Sequence, residues 1–241
     1  VTQLGSRAAV FGATGAIGGA LVRELAARGV ERIYALSRRP PPQDEGVVVT
    51  GFADILDDAS LAAAAERIGR DGALDTVIIA TGILHAPGIM PEKALRDIQA
   101  KAFAEIFAVN CTGPALVMKH FIPLLPRHRP ARLAVLSARV GSISDNRKGG
   151  WYAYRASKAA LNMVVRSAAI ETARRAPLAA IVALHPGTVD TPLSQPFQSF
   201  VPPGQLTTRQ QAAQRLLDVL GSAGPTDSGK IIGYDGKEIP A

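Results

Sequence analysis

A doubly wound α/β domain, a parallel sheet of about seven strands with helices on both faces, is what this sequence predicts, on three observations. Apolar strand-like runs alternate with amphipathic helical stretches along the 241 residues, the pattern of successive strand, helix, strand units. A glycine-rich turn, Gly12 to Gly18, directly follows the first strand-like run and opens a helix. No low-complexity linker divides the alternation, so residues 1–241 read as one domain.

The elements follow in order. Arg7 to Phe11 reads as a buried first strand, and the helix after the turn carries Leu21, Val22, Leu25 and Ala26 before Gly29 stops it. Arg32 to Leu36 and Val47 to Val49 supply two more strands, Leu61 to Ile68 a helix, and Thr76 to Ala80 a fourth strand. A long helical stretch runs from Phe103 to Phe121, followed by a strand at Leu133 to Leu136 and a helix from Tyr152 to Ala173. A sixth strand, Ala180 to Leu184, precedes an uncharged loop rich in Pro, Gln and Ser from Leu193 to Leu206. An amphipathic helix from Arg209 to Leu220 and a strand at Lys230 to Gly233 complete the pattern.

Composition narrows the functional classes. With 47% hydrophobic residues the chain can build a two-sided core without metal or disulfide staples. Cys111 is the only cysteine, which excludes an intrachain disulfide and a cysteine-rich zinc site and suits a reducing cytoplasm. His85, His120, His128 and His185 lack metal-ligand spacing, so no metal is expected. Neither a basic leader with an apolar core nor an apolar run of about 18 residues is present, so secretion and membrane association are not expected. The net charge of +7 is spread along the chain without aromatic interleaving, which argues against nucleic acid and leaves room for an anionic ligand.

Gly12-Ala13-Thr14-Gly15-Ala16-Ile17-Gly18 has the strand-to-helix setting that a dinucleotide pyrophosphate needs: a tight turn, close backbone approach, and helix N-terminal amides facing the anion. Gly12, Thr14, Gly15, Ile17 and Gly18 are the expected contacts. At the end of the second strand an acid would accept from ribose hydroxyls, but this chain has Ser37-Arg38-Arg39 ahead of Pro40-Pro41-Pro42. A guanidinium there holds a 2′-phosphate through charge-assisted hydrogen bonds worth roughly 1.5–3 kcal/mol, which favours NADP(H). The plainer alternative makes Arg38 and Arg39 solvated charges before the proline turn. Far downstream, Tyr154-Arg155-Ala156-Ser157-Lys158 sets a phenol and an ammonium at i and i+4, on one helical face.

With these two motifs and His185-Pro186-Gly187-Thr188-Val189-Asp190-Thr191, the chain resembles the short-chain dehydrogenase/reductase family over nearly its whole length. The resemblance implies a Rossmann-type fold and hydride exchange with a nicotinamide cofactor, Tyr154 serving as general acid. Bringing a phenol from about 10 to about 7 takes roughly 4 kcal/mol of differential stabilisation, and the resemblance assigns much of that to Lys158, which would also bond the nicotinamide ribose. It further implies that Asn110, in Val109-Asn110-Cys111-Thr112-Gly113, binds a water linking the lysine to solvent, the alternative being a structural kink beside Pro114. Pro186, Gly187, Val189 and Thr191 would hold the nicotinamide carboxamide. Asp54 would contact adenine or, by bare physics, cap the next helix. Thr81-Gly82 stands where relatives have Asn-Ala-Gly.

Two departures stand out. The glycine spacing G-x-x-G-x-x-G is that of extended, epimerase-like members, which the length opposes. The family's S-x-x-G hydroxyl, aligned on Gly141, falls on Ala138, leaving Ser137, Ser142 or neither to orient the substrate oxygen. Ser137 is taken first, because a strand ending there allows a one-residue shift.

Leu136 to Arg147, Gly150 to Asn162 and Asp235 to Pro240 resemble the bacterial C-factor-like branch and, less closely, sniffer-type carbonyl reductases. Two functions follow: reduction of a small uncharged aldehyde, ketone or quinone, or nucleotide binding for signalling without significant turnover. The loop at 193–206, with Phe197, Phe200 and Val201, is the expected substrate cover. A homo-oligomer, dimer or tetramer, is expected from family precedent and the apolar helix after Tyr154.

Overall fold

The computed structural model describes residues 4–41 and 46–241; Pro42, the end of the expected proline turn, lies outside the described residues. The strands are β1 (Arg7–Phe11), β2 (Arg32–Ser37), β3 (Val48–Phe52), β4 (Thr76–Ile79), β5 (Ala131–Leu136), β6 (Ala179–His185), β7 (Thr188–Val189), β8 (Leu206–Thr207), β9 (Ile231–Gly233) and β10 (Glu238–Ile239). The helices are α1 (Ala16–Ala27), α2 (Asp58–Arg70), α3 (Ala100–Phe107), α4 (Gly113–Phe121), α5 (Tyr152–Ala173) and α6 (Arg209–Ser222). Eight strands form one sheet in the order β10-β9-β6-β5-β4-β1-β2-β3, and β7 pairs with β8 apart from it. Every sheet neighbour is parallel except β10 on β9.

The order reverses between β1 and β4, so the carboxyl ends of those strands flank the crevice where open α/β sheets bind ligands. One face of the sheet packs on α1 and α6 through Leu21, Leu25, Leu216, Leu217 and Leu220. The other packs on α2, α4 and α5 through Leu61, Ile68, Val117, Phe121, Leu161 and Val165. Each such side chain contributes roughly 1.5–3 kcal/mol of burial, and Phe11 meets Phe121 edge-on at 4.7 Å, locking β1 to α4.

The eighth strand of the sheet, β10, is two residues long, too short for periodicity to reveal. The long helical stretch is broken: α3 passes into a π turn at Ala108–Thr112 before α4 resumes at Gly113. Pro114 sits in the first turn of α4, where its missing N–H costs nothing, and the wide turn absorbs the break. The cap of α2 is Asp57, which accepts from Ala59 and Ser60 amides, and not Asp54. Among the described residues no helix is long and apolar enough to cross a membrane.

Candidate active site

At the crevice a groove of about 670 Å³ is lined by Gly12, Thr14, Gly15, Ser37, Arg38, Asp54, Thr81 and Gly82. The sequence had nominated all eight. Its remaining walls include Phe52, Ile55, Leu56 and Val109, apolar residues that no motif marks. Gly12 has φ 75°, a left-handed turn that glycine adopts freely. A Cβ on Gly18 would overlap the Gly12 carbonyl oxygen, so Gly18 lets α1 close behind the turn without itself lining the groove. Ile17 packs beside the α1–α6 core, and no groove contact is made by it. Gly15 caps α1 with no side-chain bond and no acid follows in the first turn, which leaves amides for an anion.

The groove fits a dinucleotide on independent grounds. Ser37 Oγ and Thr81 Oγ1 are buried without a partner among the described residues, and both residues face into it; buried hydroxyls ordinarily find one. Arg38 is exposed at the same rim. Asp54 Oδ1 accepts the Leu56 amide at 3.0 Å, shaping the turn that carries Phe52 to Leu56 along the groove.

At the inner end stand the residues that the sequence nominated for catalysis. Tyr154 is half-buried near the start of α5, and Lys158 is buried one turn further on, its Nζ 5.9 Å from the Tyr154 ring centroid. Gly82 closes over them: a Cβ there would stand 3.4 Å from Asn110 Oδ1 and 3.5 Å from Lys158 Nζ. The ammonium donates to the Leu136 carbonyl at 2.8 Å, at the end of β5. Burial holds it down to about 8 and pushes the Tyr154 phenol up to about 12. Among the protein's own groups, desolvation of the phenolate is therefore the dominant effect on Tyr154, the ammonium being turned to a carbonyl.

Asn110, in the π turn and fully buried, accepts the Ile83 amide at 2.8 Å and donates to the Ile83 carbonyl at 2.8 Å and to Ser157 Oγ at 3.2 Å. Both amide hydrogens are engaged with protein, so this side chain pins the exit of β4 to α5, and a relay water would have to donate to Oδ1. Ser157, inside the Tyr-Lys motif, is the partner that sequence reasoning missed.

Both candidates for the substrate-orienting hydroxyl are engaged with protein, Ser137 as donor and Ser142 as acceptor. Ser137 Oγ donates to Asn162 Oδ1 at 2.7 Å, one turn beyond Lys158 on α5, and is buried there. Ser142 Oγ is buried as well and accepts the Asp145 amide at 3.1 Å. Both stabilise the β5 exit loop, and Ala138 between them has no hydroxyl.

On the β6 side, Gly187 turns at φ 75° and Val189 is buried in β7. Ser194 Oγ donates to the Val189 carbonyl at 2.5 Å, and the Ser194 amide donates to Thr191 Oγ1 at 3.3 Å, so the segment is braced from the loop that follows. Pro186, Gly187, Val189 and Thr191 lie outside the lining of the groove itself. His185 is forced down to about 4, chiefly by burial, and its Nδ1 has no partner among the described residues.

Glu92 is the other residue without a sequence signal. Buried 61 positions before α5, its carboxylate accepts the Ala153 amide at 3.2 Å and its carbonyl accepts the Trp151 amide at 2.6 Å. Trp151, at φ 52°, is held in a left-handed conformation that costs a bulky residue on the order of 1–3 kcal/mol.

Residues 6–201 match the sequence profile of the short chain dehydrogenase family. The chain is 30% identical over 231 residues to 1-hydroxy-2-glutathionyl-2-methyl-3-butene dehydrogenase of a Rhodococcus species, spanning 94% of this chain and 96% of that one. It is 36% identical over 147 residues to C-signal of Myxococcus xanthus, covering 61% and 83% of the two. Among solved structures, NADPH-bound carbonyl reductase from chicken fatty liver superposes with a TM-score of 0.83 at 26% identity, over 98% of this chain and 99% of that one. The carbonyl reductase Sniffer of Drosophila melanogaster, 18% identical with a TM-score of 0.81 over 98% and 99% of the chains, shares the fold.

Proposed function

The chain belongs to the short-chain dehydrogenase family, and we propose that it uses NADPH to reduce a small, uncharged aldehyde, ketone or quinone. The observation that carries this reading is the meeting of Tyr154 and Lys158 beneath Gly82, at the inner end of a groove whose outer rim holds Arg38. When bound, the cofactor supplies a hydride to the carbonyl carbon. Tyr154 supplies the proton to the carbonyl oxygen, so the substrate gains two hydrogens and the phenol is left to be reprotonated from solvent. Lys158 holds the ribose and balances the phenolate charge. Gly12, Thr14 and Gly15 cradle the pyrophosphate; Ser37 and Arg38 take the 2′-phosphate.

A purely signalling role is not favoured, since nucleotide binding alone needs no buried lysine beside a tyrosine. The proposal includes a cytoplasmic setting and a homo-oligomer. The face of α4 and α5 carries a cleft of about 610 Å³ lined by Met118, Ile122, Met163 and Val164, and Met163 and Ile170 are exposed there. The loop at 193–206 is the substrate cover.

The test is NADPH oxidation followed at about 340 nm against a panel of aldehydes, diketones and quinones, with NADH in parallel. Substrate-dependent oxidation that disappears in Tyr154→Phe supports the proposal; no turnover across the panel with tight NADPH binding would return the signalling alternative.

A further inference from the structure

Trp151 is the single non-glycine residue with positive φ among the described residues, at φ 52° and ψ 45°. A bulky side chain is strained there, and such strain persists only where the surroundings impose it. Glu92 imposes it: its main-chain carbonyl accepts the Trp151 amide at 2.6 Å and its carboxylate accepts the Ala153 amide at 3.2 Å, fixing the first turn of α5 that the indole precedes. Gly149 and Gly150, at φ 63° and 64°, lead the chain into the same left-handed turn.

The consequence is where the indole lies. Its ring centroid is 6.2 Å from that of Tyr154, edge to face, and 4.9 Å from that of Phe197 in the loop after β7. Phe197 meets the His85 ring at 6.1 Å, and His85 Nε2 lies 3.2 Å from the carbonyl oxygens of Pro192 and Leu193, tying the loop down. Three separate segments thus form a chain of rings, His85 to Phe197 to Trp151, that ends against the Tyr154 phenol. Trp151 and Phe197 are both half-buried, so part of each ring face is accessible.

We propose that Trp151 and Phe197 are specificity-determining residues that receive a planar aromatic or quinoid carbonyl against their ring faces, with Glu92 as the positioning residue that holds Trp151 in place. The proposal rests on the reductase reading above and narrows its substrate class. A planar π-system gains ring-to-ring attraction beyond simple area burial, and contacts to two rings correspond to a preference on the order of tenfold over an aliphatic carbonyl of similar size. The loop at 193–206 offers no charged residue to oppose this.

The experiment compares kcat/KM for isatin, a planar uncharged aromatic dione, with that for 2,3-hexanedione, in the parent, Trp151→Ala, Trp151→Phe, Phe197→Ala, Glu92→Ala and Glu92→Gln proteins. Trp151→Ala and Phe197→Ala should each lower the isatin-to-hexanedione ratio about threefold, and the double variant about tenfold, through KM for isatin, while Trp151→Phe keeps most of it. Glu92→Ala keeps the main-chain carbonyl on the Trp151 amide but loses the carboxylate on the Ala153 amide, so it should lower the ratio in the same direction as Trp151→Ala and by less, and Glu92→Gln should recover selectivity because its Oε1 still accepts the Ala153 amide. An unchanged ratio, with both substrates falling together, would make the rings structural and overturn the proposal. Phe197→Ala, on the loop, keeps the test decisive if Trp151→Ala unfolds. Should the parent reduce neither dione, the reductase reading fails separately. The wall is then judged by binding, because Trp151 is the only tryptophan. Saturable quenching of its fluorescence by isatin, weakened in Phe197→Ala, upholds the wall; its absence refutes it.

Discussion

Raising the pH from about 7.5 to about 9.5 should stabilise this protein, because of one buried amine. Lys158 is 3% exposed, and burial holds its ammonium down to about 8, against an ordinary value of 10.5. Between those values the unfolded chain keeps a proton that the folded chain has released, so unfolding takes up a proton and stability rises with pH. The contribution is complete only above the ordinary value and is lost as the pH falls through about 8. Integrating the difference in proton binding from about pH 7.5 to 9.5 gives about 2 kcal/mol. Urea unfolding followed by circular dichroism at pH steps across this window measures it. The parent should show the rise, and Lys158→Met, which fills the same space without titrating, should not. A parent curve that is flat or falling, or a rise that survives in Lys158→Met, refutes the reasoning. Two groups oppose the rise at its upper end: burial pushes the Cys111 thiol up from its ordinary 9.0 and the Tyr154 phenol up to about 12, so above about pH 9 and about pH 10 respectively they act with the opposite sign, and the rise is steepest between about pH 8 and 9.

Three further outcomes are expected. Tyr154→Phe should abolish reduction while NADPH affinity, read by fluorescence titration, stays within about twofold; Lys158→Ala should weaken both, since it removes a ribose contact and the countercharge. Arg38→Asp should cost about ten- to a hundredfold in NADPH affinity and leave NADH equal or preferred; equal affinities in the parent would remove Arg38 from that role. Ala138→Ser should raise kcat, because a hydroxyl aimed at a developing alkoxide is worth roughly 2.7–4 kcal/mol elsewhere, whereas Ser137→Ala should leave kinetics nearly unchanged and lower the melting temperature through its lost bond to Asn162.

What was legible in the sequence is what local physics fixes. The helix from Tyr152 to Ala173 has the expected bounds, because its apolar face repeats with helical period and two glycines precede it. The glycine turn and the residues of the groove were legible because backbone clearance and helix amides leave a mark in residue type. Long-range partners were not. Glu92 caps α5 from 61 positions away, and nothing in a one-dimensional pattern couples a glutamate to an amide that distant. The Ser137 assignment failed for a related reason: where β5 ends, the side chain's direction is set by what α5 presents, and Asn162 presents an acceptor. The orientation of Lys158 was not legible either, because i, i+4 spacing fixes proximity without direction, and within the chain the Leu136 carbonyl takes the ammonium.

These same details bear on the direction of the chemistry. A phenol held near 12 is protonated at neutral pH, with on the order of one molecule in 10⁵ as phenolate. Alcohol oxidation needs the phenolate as base, whereas carbonyl reduction needs the neutral phenol as acid, so the resting state of Tyr154 is the state that reduction uses. On the proposed reductase reading, with Ala138 offering no hydroxyl and the Ser137 hydroxyl donated to Asn162, the developing alkoxide would depend the more on the Tyr154 proton. The burial that makes Tyr154 a reluctant acid also removes competing water from its hydrogen bond to the substrate oxygen. Desolvation therefore acts twice: it keeps the proton on the phenol until charge appears opposite it, and it keeps Lys158 close enough to neutrality that its charge responds to the same event.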